Sequence, residues 1–230
     1  DLHLLSRRQR QMCIRDSCAC GTKKQEKKAD TVDFSSLSKT GSMELNYATQ
    51  YSVDEYDGYK MITIVDDGRF LLIPEGVVVP QNIPEDVTVL QQPLDKTYLV
   101  STSVMDLVRQ IDAMSDIRLS GTKEDGWYVE EAREAMEEGD ILYAGKYSAP
   151  DYEMILDEGC NLAIENTMIY HNPEVKEKLE ELGIPVLVER SSYETDPLAR
   201  MEWVKLYGIL LGKQQEAEQL FDCLLYTSPS

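Results

Sequence analysis

Residues 161–190 read NLAIENTMIYHNPEVKEKLEELGIPVLVER. Asn161 to Ile164 is a short apolar run of strand type, and Ile184 to Val188 is a second. The helix between them is punctuated at both ends. Asn172 takes the N-cap position, Pro173 opens the first turn, Val175, Leu179 and Leu182 recur at helical spacing, and Gly183 stops it. Strand, helix and strand in so short a span make a β-α-β unit, whose strands run parallel through a crossover.

The alternation extends to both sides. Thr97 to Val100 is a strand, followed by the Ser101-Thr102-Ser103 loop and a helix with Val104, Leu107, Val108 and Ile111 on one face. Ile117 to Leu119 is the next strand. Val129, Ala132 and Met136 mark a helix closed by Gly139; Asp140 to Tyr143 is a strand, and residues 150–157 form a short helix. Downstream, a helix from about Pro197 to Leu211 stops at Gly212, and another begins at Lys213. Residues 97–212 therefore read as an α/β fold, a doubly wound parallel sheet. Residues 44–96 precede it as a β-rich segment, expected as a small β-hairpin region: Tyr51–Val65 and Arg69–Pro74 flank an Asp66-Asp67-Gly68 turn, and Val87–Leu90 is a further short strand.

Charge and cysteine usage exclude several functions. The 230 residues carry a formal charge of −19. Residues 1–28 hold eight basic and three acidic side chains, leaving 15 basic against 39 acidic, or −24, on residues 29–230. A nucleic-acid binder that neutralises phosphates is excluded on that balance, as is direct attraction of the folded part to an anionic membrane. No apolar run is long enough to span a bilayer. The only histidines are His3 and His171, and no C-x-x-C occurs, so neither a structural zinc site nor an H-E-x-x-H protease fits. Cys160, alone among five cysteines, falls within a core-like stretch and reads as a buried small apolar residue.

The ends differ in character. Residues 1–17 and 223–230 show no amphipathic period and resemble translated adapter sequence, so they are expected as non-native flanks. Residues 18–43 are expected as a cysteine-bearing, disordered tether. Within them Ser17-Cys18-Ala19-Cys20-Gly21, followed by a lysine-rich run, resembles the cleavage end of a bacterial lipoprotein signal. That reading makes Cys20 the lipidated residue; the alternative is two stray cysteines in a leader.

The ordered set GDILYAGKYSAPDYEMIL at 139–156, the 161–194 run ending VERSSYE, and EWVKLYGILLGK at 202–213 carries a resemblance. Over about residues 45–222 the chain resembles the N-terminal lobe of an iron-siderophore/cobalamin-type substrate-binding protein of an ABC importer. The resemblance implies one Rossmann-like lobe of a bilobal receptor, extracytoplasmic and anchored to the cell membrane through lipid. It implies an ABC permease as partner, a small-molecule metal complex as ligand, and no cofactor, resident metal or catalysis. Residues 213–222 would begin the inter-lobe helix, with a second lobe beyond it. As the sequence stands, that helix is expected to fray and to expose Leu220 and Phe221.

Ligands of open α/β sheets bind beyond the carboxyl ends of the strands. That rule places Ser101, Thr102, Ser103, Trp127, Tyr128, Tyr147, Glu165, Tyr170, Arg190 and Tyr193 as candidate ligand-binding residues. Ser103 serves equally as a helix N-cap, and Glu165 equally as an acceptor for loop amides. Arg190 suits a carboxylate-bearing ligand, or else pairs with Glu189 or Glu194. Trp127, Tyr128 and Tyr193 either stack on a planar ligand or cap the core. His171, beside Tyr170, is either a metal ligand or a surface residue. The resemblance places Glu153 at the position where an acidic residue meets permease arginines; the local alternative is a glutamate favoured by a helix N-terminus. An enzyme on the same fold stays open as the second reading, though no G-x-G-x-x-G, G-x-x-x-x-G-K-[ST] or G-x-S-x-G occurs.

Overall fold

The computed structural model describes residues 31–227. The expected flank 1–17, the expected lipidation site Cys20, tether residues 18–30 and tail residues 228–230 lie outside the described residues.

The chain begins with a mixed sheet. Strands β1 (Lys39–Ser42), β2 (Tyr51–Tyr56), β3 (Tyr59–Ile64), β4 (Gly68–Ile73) and β5 (Val87–Gln91) lie in sequential order, antiparallel except for the parallel β4–β5 pair. This is a larger layer than the expected hairpin region. The expected tether also ends sooner. Val32, Phe34 and Leu37 pack against Tyr59, Met61, Leu71 and Ile73, a short 3-10 turn spans Phe34–Ser36, and β1 pairs with β2. The reason is apolar side chains spaced widely enough to escape a periodicity reading.

The second sheet is the expected one. It contains β6 (Thr97–Leu99), β7 (Ile117–Ser120) and β8 (Leu142–Tyr143), with the small β9–β10 hairpin (Gly145–Lys146 and Ala149–Pro150) set apart, then β11 (Leu162–Asn166) and β12 (Val186–Glu189). All its pairings are parallel, in the order β12-β11-β6-β7-β8. The chain starts in the middle, runs outward through β7 and β8, then returns to the other side. The switch point lies between β6 and β11.

Helices α1 (Thr102–Gln110), α2 (Glu130–Glu138) and α5 (Pro197–Leu210) cover one face of this sheet; α3 (Tyr152–Asp157) and α4 (Pro173–Glu181) cover the other. Helix α6 (Gln214–Thr227) packs on α5. Gly139, Gly183 and Gly212 take positive φ where helices end, as the punctuation requires.

Both sheets share one core. Tyr51, Val53, Ile62, Ile64, Phe70 and Leu72 from the mixed sheet join Leu99 of β6, Val104 of α1, Ile164 of β11, and Trp203 and Tyr207 of α5. Tyr51 meets the Trp203 ring edge-on at 5.0 Å. Residues 44–96 are thus a layer of the same unit rather than a separate appendage. Phe221 is fully buried and Leu220 partly so, correcting the expectation that the last helix exposes them. Tyr47 covers Phe221 edge-on at 6.2 Å, and α6 continues past residue 222.

The α5–α6 contact depends on a missing side chain. A Cβ on Gly208 would stand 2.5 Å from Ala217 Cβ and 2.9 Å from Lys213 O. Gly208→Ala is expected to lower stability by about 1–3 kcal/mol by forcing the helices apart. Urea denaturation checks this; no loss would mean that α6 shifts freely on α5.

Candidate functional site

The carboxyl ends of β6, β11 and β12 set the site. On the α1 and α5 side, Glu189 ends β12 and is buried. It accepts hydrogen bonds from Ser101 Oγ at 3.1 Å, Ser103 Oγ at 3.3 Å and the Ser191 N–H at 2.6 Å. The two serine hydroxyls lie 3.0 Å apart. Ser101, rather than Ser103, occupies the N-cap position of α1, and its side chain makes no cap bond. The buried carboxylate next door attracts both hydroxyls instead. Thr102 is exposed at the first turn. A groove of about 250 Å³ beside this cluster is lined by Ser103, Asp106, Leu107, Ser191 and Arg200.

Arg190 follows Glu189 and reaches four other side chains. Its guanidinium donates to Gln50 Oε1 at 3.4 and 3.5 Å, to Tyr170 OH at 3.5 Å and to Asp66 Oδ2 at 3.3 Å. It also stacks over the Tyr193 ring at 4.4 Å. Arg190 pairs with neither Glu189 nor Glu194, because both carboxylates are engaged elsewhere. Glu194 accepts the Thr49 and Gln50 N–H groups and the Trp203 indole N–H. Tyr170 and Tyr193 remain exposed at 38% and 54%, the first meeting the cation through its hydroxyl and the second through its ring face.

The β3–β4 turn reaches the same place. The Asp67 side chain is buried, accepts the Val188 N–H at 3.0 Å on the free edge of β12, and pairs with Lys176 of α4. That contact closes a sheet edge that would otherwise offer an unpaired donor. Asp66, its neighbour, points to Arg190.

Other candidates are placed elsewhere. Trp127 is buried in the core at 5% exposure and donates its indole N–H to Ser120 Oγ at 3.1 Å, so it cannot stack on a ligand. Tyr128, next to it, is fully exposed. Tyr147 is half-buried in the β9–β10 connection, packed against the α3–α4 side of the core. His171 is exposed at the end of a short 3-10 turn, and no group of three metal-binding side chains occurs among the described residues. Glu153 is exposed in the first turn of α3, whose N-cap is Asp151.

Glu165 stands apart from the Arg190 group. Strand alternation puts it on the face of Ala163, toward α3 and α4, while Glu189 faces α1. It is fully buried, and neither carboxyl oxygen has a hydrogen-bond partner, so it does not collect loop amides. Burial pushes its pKa up to about 8, opposed only by the nearby Asn166 amide. The carboxyl is therefore largely protonated at neutral pH. Cys160, also on this side, is half-buried rather than fully buried, since it sits at the turn before β11. Burial still pushes its thiol up to about 11, which keeps it unreactive.

One glutamate outside the sequence reading, Glu202, anchors the segment that carries Gln50. Glu202 accepts the N–H groups of Asn46, Tyr47 and Ala48 at 3.0, 2.8 and 2.8 Å and pairs with Lys205 at 2.8 Å. With Glu194 it ties residues 46–50, including Gln50, to the start of α5. The signal in the sequence is a lone acid between Met201 and the apolar run Trp203-Val204-x-Leu206-Tyr207.

Strand order and switch point together define an open, doubly wound α/β sheet, a class whose ligands bind beyond the carboxyl ends of the strands. The chain is similar to a periplasmic heme-binding protein from Pseudomonas aeruginosa (18% identity, TM-score 0.46, covering 57% of this chain and 43% of that one). It is also similar to a vitamin B12 binding protein of Vibrio cholerae (14%, 0.41, covering 57% and 48%). No family model matches. An uncharacterized lipoprotein of Methanocaldococcus jannaschii is 24% identical over 186 residues, 77% of this chain and 44% of the relative, so the chain spans less than half of that relative's length. Among the described residues no helix is long and apolar enough to cross a membrane.

Proposed function

We propose that residues 31–227 form one ligand-binding lobe of an extracytoplasmic substrate-binding protein that hands a metal complex of the iron-siderophore, haem or cobalamin type to an ABC permease. The observation that carries this reading is the Arg190 guanidinium at the sheet's carboxyl edge, stacked on the exposed Tyr193 ring and bonded to the hydroxyl of the exposed Tyr170. A fixed cation on one tyrosine ring and beside a second tyrosine's hydroxyl suits a large, planar or carboxylate-bearing ligand. Ser101, Thr102 and Ser103 line the neighbouring strand end. Glu153 supplies the permease contact from the exposed first turn of α3, and Cys20 the lipid anchor, in keeping with the lipoprotein designation of the Methanocaldococcus relative.

The test is a titration of this chain with gallium(III) citrate, haem and cobalamin, followed by NMR. Binding is expected to be weaker than about micromolar, because a single wall leaves most of the ligand in water. Shifts are expected at Arg190, Tyr170, Tyr193 and the 101–103 loop. Shifts confined to other surfaces would overturn the site. Tight binding by this chain alone would overturn the two-walled cleft.

A further inference from the structure

We propose that Asp66 is the resident counter-anion of the ligand position on Arg190: it holds the guanidinium until an anionic ligand group displaces it, and so sets which anions can bind. This rests on the reading of Arg190 as the ligand cation.

The two aspartates of the β3–β4 turn have opposite environments. The Asp67 side chain is 0% exposed, fixed by Lys176 and by the Val188 N–H. It bolts the turn to the edge of β12. Asp66, one residue earlier, keeps 77% of its side chain exposed while the Arg190 side chain it meets is 7% exposed. Its backbone is left-handed, with φ 55°, and its carboxylate meets Arg190. The turn therefore holds the Asp66 backbone still and leaves its carboxylate in water.

Arg190 is poorly satisfied by its present partners. A guanidinium offers five donors in a planar fork suited to paired bonds with a carboxylate or phosphate. Here every polar contact is 3.3–3.5 Å, long for a charge-assisted bond, and Asp66 meets it through a single nitrogen. A solvated carboxylate in a single long contact is a weak competitor. A ligand that brings two acidic oxygens to the fork replaces it with a better geometry, whereas a neutral or cationic ligand finds Asp66 in place.

Citrate, a tricarboxylate, is the probe, with the Arg190 Nε–H signal and calorimetry as readouts. Asn tolerates positive φ, so Asp66→Asn keeps the turn while removing the charge; Asp66→Gly serves as a second variant, and thermal melts check that both fold. Citrate is expected to bind Asp66→Asn about tenfold more tightly than the unmodified chain, and Arg190→Gln not at all. A gain in affinity is an outcome that a merely structural role for Asp66 would not produce. Equal affinity of Asp66→Asn and the unmodified chain, with binding still abolished by Arg190→Gln, would sink the counter-anion role and leave the site standing. Undiminished binding by Arg190→Gln would sink both. Absence of citrate binding to either Asp66 variant would also overturn the proposal.

Discussion

Replacing Glu165 by glutamine is expected to remove most of a pH dependence of stability that the unmodified chain carries. In the folded protein the Glu165 carboxyl, buried without a partner, titrates near pH 8; in the unfolded chain it returns to about 4.5. Between those values the folded form holds a proton that the unfolded form has released. Stability from this group is therefore fully present below about pH 4.5, falls as the pH rises, and levels off above about pH 8. The total fall from pH 5 to pH 9 is about 4 kcal/mol. Repulsion within this acidic chain also changes with pH, but it acts on both proteins and cancels in the difference. Urea denaturation at several pH values checks this. Glu165→Gln should be equal to or slightly below the unmodified chain at pH 5, where a neutral acid is exchanged for an unpaired amide, and well above it at pH 9. Parallel curves would show that Glu165 does not titrate in this window.

The second large effect is expected at Glu202. Burial alone would raise its pKa, but Lys205 and the amides of residues 46–48 hold the carboxyl below the ordinary range. Glu202→Ala leaves those three donors and the Lys205 ammonium without their acceptor. A loss of about 3–5 kcal/mol follows from orphaning a buried, hydrogen-bonded cluster of this kind. Glu202→Gln, which keeps one acceptor oxygen, should lose less. The specific readout is hydrogen exchange: the Tyr47 and Ala48 amides should lose protection before those of β11. A loss below about 1 kcal/mol would mean that the 44–50 connection holds its place by packing alone.

The parallel half of the fold is legible because its signals are local. Asn172-Pro173 and Gly183 delimit α4, Gly139 and Gly212 end α2 and α5, and the strand-type runs at 97–100, 161–164 and 184–188 are short and separate. The mixed sheet is less legible. Strand β1, Lys39-Thr-Gly-Ser42, has no buried side chain and exists through its backbone pairing with β2. Pairing of β4 with β5 is parallel and crosses a loop, so no short-range turn signal reports it. At the site, Ser101 and Ser103 meet Glu189, while Tyr170 and Tyr193 meet Arg190, and strand-end logic gave these positions without their partners. It could not foresee that Arg190 would meet Asp66, 124 residues earlier. Nor could it tell an inward Trp127 from an outward Tyr128, or assign Glu165 and Glu189 to opposite faces, because both distinctions depend on packing.

The clamp on residues 46–50 also bears on how the chain is made. Its acceptors, Glu194 and Glu202, come 144 to 156 residues after the amides they bind. At synthesis rates of about 5–20 residues per second, the first sheet spends roughly 8–30 s on the ribosome side of that closure. Throughout that interval Tyr51, Val53, Ile62 and Ile64 have no α5 to cover them. A nascent chain in this state is open to capture by its neighbours, and a polar first strand of only four residues is a poor template for them to extend.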